Sequence, residues 1–231
     1  MSGYRRYAIY YVPEDGSRLQ TFGAGWLGWD IISGAPGERI EAQGLPVDTA
    51  DLTRDPARYG FHGTLKPPFR TESPIGDVID SAERLVAGID AFEVPAMKFA
   101  GIGRFMALIP AERCAALENL AVALVQGLDH FRLPPTEAEL VRRRRAGLSA
   151  RQEELLQRWG YPYVGPEFRF HLTLTGPVDP SHTDAVAEAL RPLTAPFEAP
   201  LPVSSVALCG EIDGGPHDGR FRVIRRLPLR G

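Results

Sequence analysis

The feature that most constrains this chain is a five-residue word written twice. Phe61-His62-Gly63-Thr64-Leu65 and Phe170-His171-Leu172-Thr173-Leu174 share the pattern Phe-His-x-Thr-Leu, in a chain with only five histidines. Both copies are apolar at alternate positions and read as β-strands, so the expected fold brings these two strands together.

Strand side chains alternate between faces. His62, Thr64 and Lys66 are expected on one face of the first strand, and Arg169, His171, Thr173 and Thr175 on one face of the second. Each strand then offers an imidazole and a hydroxyl about 7 Å apart, at ~3.3 Å per residue. Two such strands set face to face surround one space with two groups that give and take protons near neutral pH. The Thr hydroxyls can donate to phosphate oxygens, and Lys66 or an arginine can offset developing charge. The chemistry this favours is in-line phosphoryl transfer with His62 and His171 as acid and base, Thr64 and Thr173 as phosphate contacts, and no metal or cofactor. Lys66, Arg104, Tyr11, Thr175 and Arg169 are the candidate further contacts. A metal site is poorly supported, since no carboxylate stands at ligand spacing from either histidine.

With 231 residues and 44% hydrophobic content, the chain can bury a substantial core as one two-lobed domain. A net charge of −3 gives no general attraction for nucleic acid or anionic membrane. The isolated Cys114 and Cys209, a polar start and the lack of a long apolar run lead to an expected cytoplasmic location, with no membrane partner and no obligate protein partner.

The repeat extends beyond the histidines. Phe92-Glu93-Val94-Pro95 is echoed by Phe197-Glu198-Ala199-Pro200, and Gly103-Arg104-Phe105 by Gly219-Arg220-Phe221. The order motif strand, helix, strand, strand occurs twice. This predicts an α+β, bilobal, duplicated fold, with two facing antiparallel sheets, outer helices and a central cleft. One lobe is expected at about 55–110 and the other at about 166–231, with an N-terminal strand at 4–12. A connector and helical insertion at about 111–165 includes helices capped by Thr136-x-x-Glu139 (running to Ala146) and Ser149-x-x-Gln152. A helix capped by Ser73 and another from Ala111 to Leu128 are also expected. The run Arg142–Arg145 reads as a solvated helix face, with a contact to an anionic ligand or RNA as the alternative.

The words Tyr59-Gly60-Phe61-His62-Gly63-Thr64-Leu65-Lys66-Pro67-Pro68-Phe69 and Phe170-His171-Leu172-Thr173-Leu174-Thr175-Gly176, with Arg6-Tyr7-Ala8-Ile9-Tyr10-Tyr11, resemble the two-histidine (2H) phosphoesterase superfamily. That group includes RNA 2′,5′-ligase-like proteins and cyclic nucleotide phosphodiesterases. The wording is most similar to a branch associated with bacterial phosphonate-utilisation gene clusters. The resemblance implies acid and base roles for His62 and His171, phosphate contacts from Thr64 and Thr173, and a 2′,3′-cyclic phosphate or related, ribose-derived cyclic phosphodiester as substrate. A small cyclic phosphodiester or nucleotide is favoured over RNA. The alternatives are a non-catalytic module that binds a nucleotide or RNA end, and an RNA 2′,5′-ligase.

Overall fold

Local chemistry sets most element boundaries in the computed structural model, which describes residues 3–145 and 147–231. The chain runs β1 (Tyr4–Tyr11), α1 (Arg18–Leu27), α2 (Thr49–Leu52), α3 (Arg54–Ala57), β2 (Gly63–Phe69), α4 (Ile75–Val86), β3 (Phe92–Val94), β4 (Met97–Ile102) and β5 (Phe105–Pro110). It continues through α5 (Ala115–Gly127), α6 (Glu137–Arg144), α7 (Ala150–Trp159), β6 (Leu172–Thr173), α8 (Thr183–Thr194), β7 (Leu201–Val203), β8 (Ser205–Ile212) and β9 (Phe221–Pro228). Reciprocal capping boxes, Thr136 with Glu139 and Ser149 with Gln152, start α6 and α7. Gly160, left-handed at φ 68°, closes α7.

Two expected helix starts move. Helix α4 begins at Ile75 behind Pro74, with no side-chain cap bond; the Ser73 amide donates instead to Thr71 Oγ1. Helix α5 begins at Ala115 because the Ala111 amide still donates to Ala96 O, prolonging the hairpin of β4 and β5. The expected end of α6 at Ala146 lies outside the described residues.

The fold is α+β with two antiparallel sheets. A seven-stranded sheet has the order β4-β5-β6-β2-β1-β8-β9, and β3 pairs with β7 in a second, two-stranded sheet. The motif strands are edge-to-edge neighbours in the large sheet, joined where Gly63 pairs with Leu172. They meet side by side, not face to face as their separate reading had it. The closing hairpins also cross over. β4 and β5 follow the first motif in sequence but lie beside β6, while β8 and β9 follow the second motif but lie beyond β1 on the side of β2. Each spatial half of the sheet is thus built from both sequence halves, unlike the division at 55–110 and 166–231.

One face of this sheet carries the main core. Val78, Ala82 and Val86 of α4, Leu117, Leu120 and Leu124 of α5, and Val186 and Leu190 of α8 join Tyr7, Ile9, Tyr11 and Leu65 there. Full burial of each Val, Leu or Ile side chain among them stabilises the fold by roughly 1.5–3 kcal/mol. The opposite face holds a smaller cluster of Ala8, Tyr10, Val12, Ile31, Ala207, Cys209 and Phe221. Alternation along β1 divides its residues between these two clusters.

The junction of the motif strands is tight. A Cβ built on Gly63 would lie 2.3 Å from Phe170 Cε2, whereas one on Gly101 would meet nothing within 4 Å. Gly63→Ala is expected to lower stability by about 1–3 kcal/mol, the range for overpacking. Gly101→Ala should stay within about 0.5 kcal/mol of the parent. Urea denaturation of the two variants checks this; equal midpoints would show that Phe170 gives way freely.

Candidate active site

The register of β2 and β6 assembles the motif residues. Gly63 stands opposite Leu172, so one step outward along the antiparallel pair sets His62 opposite Thr173 and Thr64 opposite His171. These four side chains share a face. The two imidazoles are diagonal neighbours, on the order of 7 Å apart at the backbone. The pair Gly63 and Leu172 marks the local twofold relation between the motifs.

Both imidazoles are oriented in the same way. His62 Nδ1 donates to Gly60 O at 2.8 Å, and His171 Nδ1 donates to Arg169 O at 2.7 Å. In each case the acceptor is the carbonyl two residues earlier. Gly60 is left-handed at φ 69°, and a Cβ there would strike Ile31. With Nδ1 committed as a donor, Nε2 is the exchangeable nitrogen on both rings. His62 Nε2 lies 3.2 Å from Thr64 Oγ1. Desolvation holds the His62 pKa down at about 4, with a smaller contribution from the charge of His171. Burial lowers the His171 pKa too, partly opposed by its bond to Arg169 O. Both rings are therefore neutral at pH 7.

Aromatic rings frame the pair. Tyr10 lies against His62 with centroids 3.9 Å apart, and Tyr59 is 6.0 Å from the same ring. Phe221 packs on both tyrosines, while Phe105 stands 5.5 Å from His171. A pocket of about 440 Å³ opens beside Thr64 and His171, walled by Phe105, Tyr161 and Phe168, with Arg169, Gln152 and Glu167 also lining it. Arg169 is exposed at this pocket, and its guanidinium has no ion-pair partner among the described residues.

Four expected contacts lie elsewhere. Lys66 is 2% exposed, and its Nζ donates to Val125 O at 3.1 Å. The cause is a bulge: Tyr10 pairs with Thr64 but Ile9 pairs with Lys66, so Leu65 is an extra residue and Lys66 turns to the α5 side. There it meets the carbonyl end of α5, where a cation is favoured. Tyr11 pairs with Gly63 and is buried in the main core against Phe170. Its neighbour Tyr10 has the face that meets His62. Thr175 is buried, accepting from the Met106 amide and donating to Gly176 O. The strand has already ended at Thr173, as the Leu174 and Thr175 amides both converge on Met106 O. Arg104 is exposed on the turn between β4 and β5, where its charge acts on Asp179.

The sequence did carry a signal for the phenylalanines. The repeated words Gly103-Arg104-Phe105 and Gly219-Arg220-Phe221 each deliver a Phe to the surroundings of one imidazole, through the exchanged hairpins. Arg220 instead donates to Ala57 O and lies over Trp29. Among the described residues, no group of three His, Cys, Asp or Glu side chains is placed to hold a metal ion, and no helix is long and apolar enough to cross a membrane.

Fold and site together describe an α+β protein in which duplicated His-x-Thr strands pair about a local twofold. The chain belongs to the DUF1045 family, described as a protein of unknown function, whose model matches residues 64–217. It is 34% identical over 235 residues to the ribose 1,5-bisphosphate phosphokinase PhnN of Janthinobacterium sp. (strain Marseille), covering 98% of this chain and 51% of that protein. It is also 34% identical over 231 residues to the protein of the same name from Laribacter hongkongensis (strain HLHK9), covering 97% and 52%. The chain thus spans about half the length of these curated relatives. Among solved structures, E. coli LigT complexed with NADP+ aligns at TM-score 0.47 and 14% identity over 99% of both chains. A crystal structure described as a phosphoesterase aligns at TM-score 0.46 and 13% identity, also over 99% of both.

The displaced Lys66 has a measurable signature. Desolvation lowers its pKa from 10.5 to about 8. Between those values the unfolded chain keeps a proton that the folded chain has lost, so rising pH stabilises the fold. The stability of wild type relative to Lys66→Met should therefore rise between pH 8 and 10, read from urea midpoints. An invariant difference would place the amine in water.

Proposed function

We propose that this protein is a metal-independent phosphodiesterase that opens a ribose-derived cyclic phosphate. The observation that carries this reading is the matched orientation of two imidazoles. Each is held through Nδ1 by the carbonyl two residues earlier, on diagonal positions about one strand pairing. Each keeps Nε2 for proton transfer, with a Thr hydroxyl opposite on the neighbouring strand.

The chemistry follows from that arrangement. Water attacks phosphorus as one Nε2 takes its proton. The ester bond in line with the attack breaks, and the other Nε2 gives its proton to the departing ring oxygen. A phosphomonoester with a free neighbouring hydroxyl results. Thr64 and Thr173 donate to the non-bridging oxygens, and Arg169 offsets their charge from the rim. His62, the more strongly depressed imidazole, is the base, and His171 is the acid. A bound phosphate anion raises both pKa values, supplying the acid with its proton as the substrate enters.

The substrate class draws on two kinds of support. A pocket of about 440 Å³ suits a nucleotide-sized molecule better than an RNA strand. The relatives carry a name referring to ribose 1,5-bisphosphate. Opening a ribose 1,2-cyclic phosphate at O2 would leave a 1-phosphate like the one in that name. This accords with the resemblance to proteins of phosphonate-utilisation clusters.

His62→Ala and His171→Ala should each lower turnover of a cyclic phosphodiester by at least about 100-fold. A chelator should leave wild type active. A 4-nitrophenyl phosphodiester, whose leaving group needs no proton, should partly rescue His171→Ala but not His62→Ala. Full turnover by His62→Ala would end this reading.

The lowered pKa values also set the pH profile. The proton that the acid takes up with substrate is counted from the free enzyme, so kcat/KM should fall with rising pH along a limb lying below the ordinary histidine value of about 6.5. An acid limb from loss of the neutral base should make the curve bell-shaped. A kcat/KM that climbs steadily to pH 9 would exclude the imidazole acid.

A further inference from the structure

Of the four arginines at 142–145, one is not on a solvated face. Arg142 and Arg145 are exposed, and Arg144 pairs with Glu153 at 2.7 Å. Arg143 is half-buried, with its guanidinium 4.5 Å from the centroid of the Tyr161 ring. It has no carboxylate within ion-pair distance among the described residues. Glu139, one turn earlier, raises the Arg143 pKa by its charge, but this carboxylate already accepts from the Thr136 amide and hydroxyl and pairs with Arg70 at 3.5 Å. Burial is the largest influence on the guanidinium and lowers its pKa, and the charge of Arg142 lowers it further. Leaving a half-buried cation without a counter-ion is costly unless something else supplies the charge.

Its surroundings point toward the histidines. Tyr161 lines the pocket shared with Thr64 and His171. The charges of Arg143, Arg6 and Tyr161 act on one another or on Tyr10 and Tyr59, the rings that flank His62. Arg6 is already neutralised by Glu211 through two bonds of 2.5 and 2.8 Å. The Tyr59 and Tyr161 hydroxyls have no hydrogen-bond partner among the described residues. Arg143, with no carboxylate at ion-pair distance among the described residues, therefore lies over a ring that lines the pocket of Thr64 and His171, and the Tyr161 hydroxyl there and the Tyr59 hydroxyl beside His62 are without hydrogen-bond partners among the described residues.

We infer that Arg143, with the Tyr161 hydroxyl, binds a second anionic group of the substrate, a phosphate apart from the one that is opened. This rests on the phosphodiesterase reading for the identity of the first phosphate, and makes the substrate a bisphosphate. Helix α6 then acts as a specificity element: it supplies the missing counter-charge partner for a terminal phosphate, with the planar guanidinium suited to bidentate contact.

Binding can be tested without turnover by titrating the protein calorimetrically with adenosine 3′-phosphate and with adenosine 3′,5′-bisphosphate, which differ by one phosphate. Wild type should bind the bisphosphate at least about 10-fold more tightly, as for one charge-assisted contact. Arg143→Gln should abolish the preference, Arg143→Lys should keep part of it, and exposed Arg142→Gln should keep all of it. Equal affinities in wild type, binding of neither ligand, or a preference that survives Arg143→Gln would each overturn the inference. Separate turnover assays on a 2′,3′-cyclic phosphate judge the phosphodiesterase reading, so the two failures are distinguishable.

Discussion

One backbone pairing, Gly63 with Leu172, holds the site together. It sets two chain segments more than a hundred residues apart in the only register that puts each imidazole opposite the other segment's threonine. A slip by one residue would send the partner's side chains to the opposite face, into the helix layer. The pairing is short, since β6 has only two residues, so its register needs support from outside. Trp26 Nε1 donates to Leu174 O at 2.7 Å, the Leu174 amide donates to Met106 O, and Phe170 packs on Gly63. These contacts pin the second motif from both ends.

The exchanged hairpins give the duplication a physical purpose. If each motif strand paired with its own following hairpin, the halves would form two separable sheets. By crossing, β5 flanks β6 and β8 flanks β1, and each half contributes to the walls around the other's imidazole. Phe105 then stands by His171, while Phe221 stands by the tyrosines that cover His62. The small sheet of β3 and β7 joins Phe92 to Val203 and Val94 to Leu201, a second tie between the halves.

The sequence made the motif strands legible because the word is repeated and the alternation within it is unbroken over three residues. Legibility ended where alternation did. The bulge at Leu65 turns Lys66 away from His62, and the end of β6 at Thr173 does the same for Thr175. Sequence alone selects Tyr11 where the structure places Tyr10 against His62, because two adjacent aromatics on one strand carry nothing that tells their faces apart. Only the partner strand decides which of them shares the face of Thr64. Caps, by contrast, are local, and the boxes at Thr136 and Ser149 stand where they were expected. The isolated reading of Arg143 as solvated failed for the opposite reason. Helix spacing describes a helix alone, while Tyr161 arrives from beyond the end of α7.

The electrostatics of the site form a single argument. Desolvation makes a charge on either imidazole expensive, and the charge of His171 would further oppose one on His62. The site therefore rests neutral at its centre, while Arg169 at the rim has no carboxylate partner among the described residues. Such a field draws an anion inward, and the anion in turn makes protonation of one imidazole favourable. In the proposed reaction, substrate binding and the arming of the acid are then the same event.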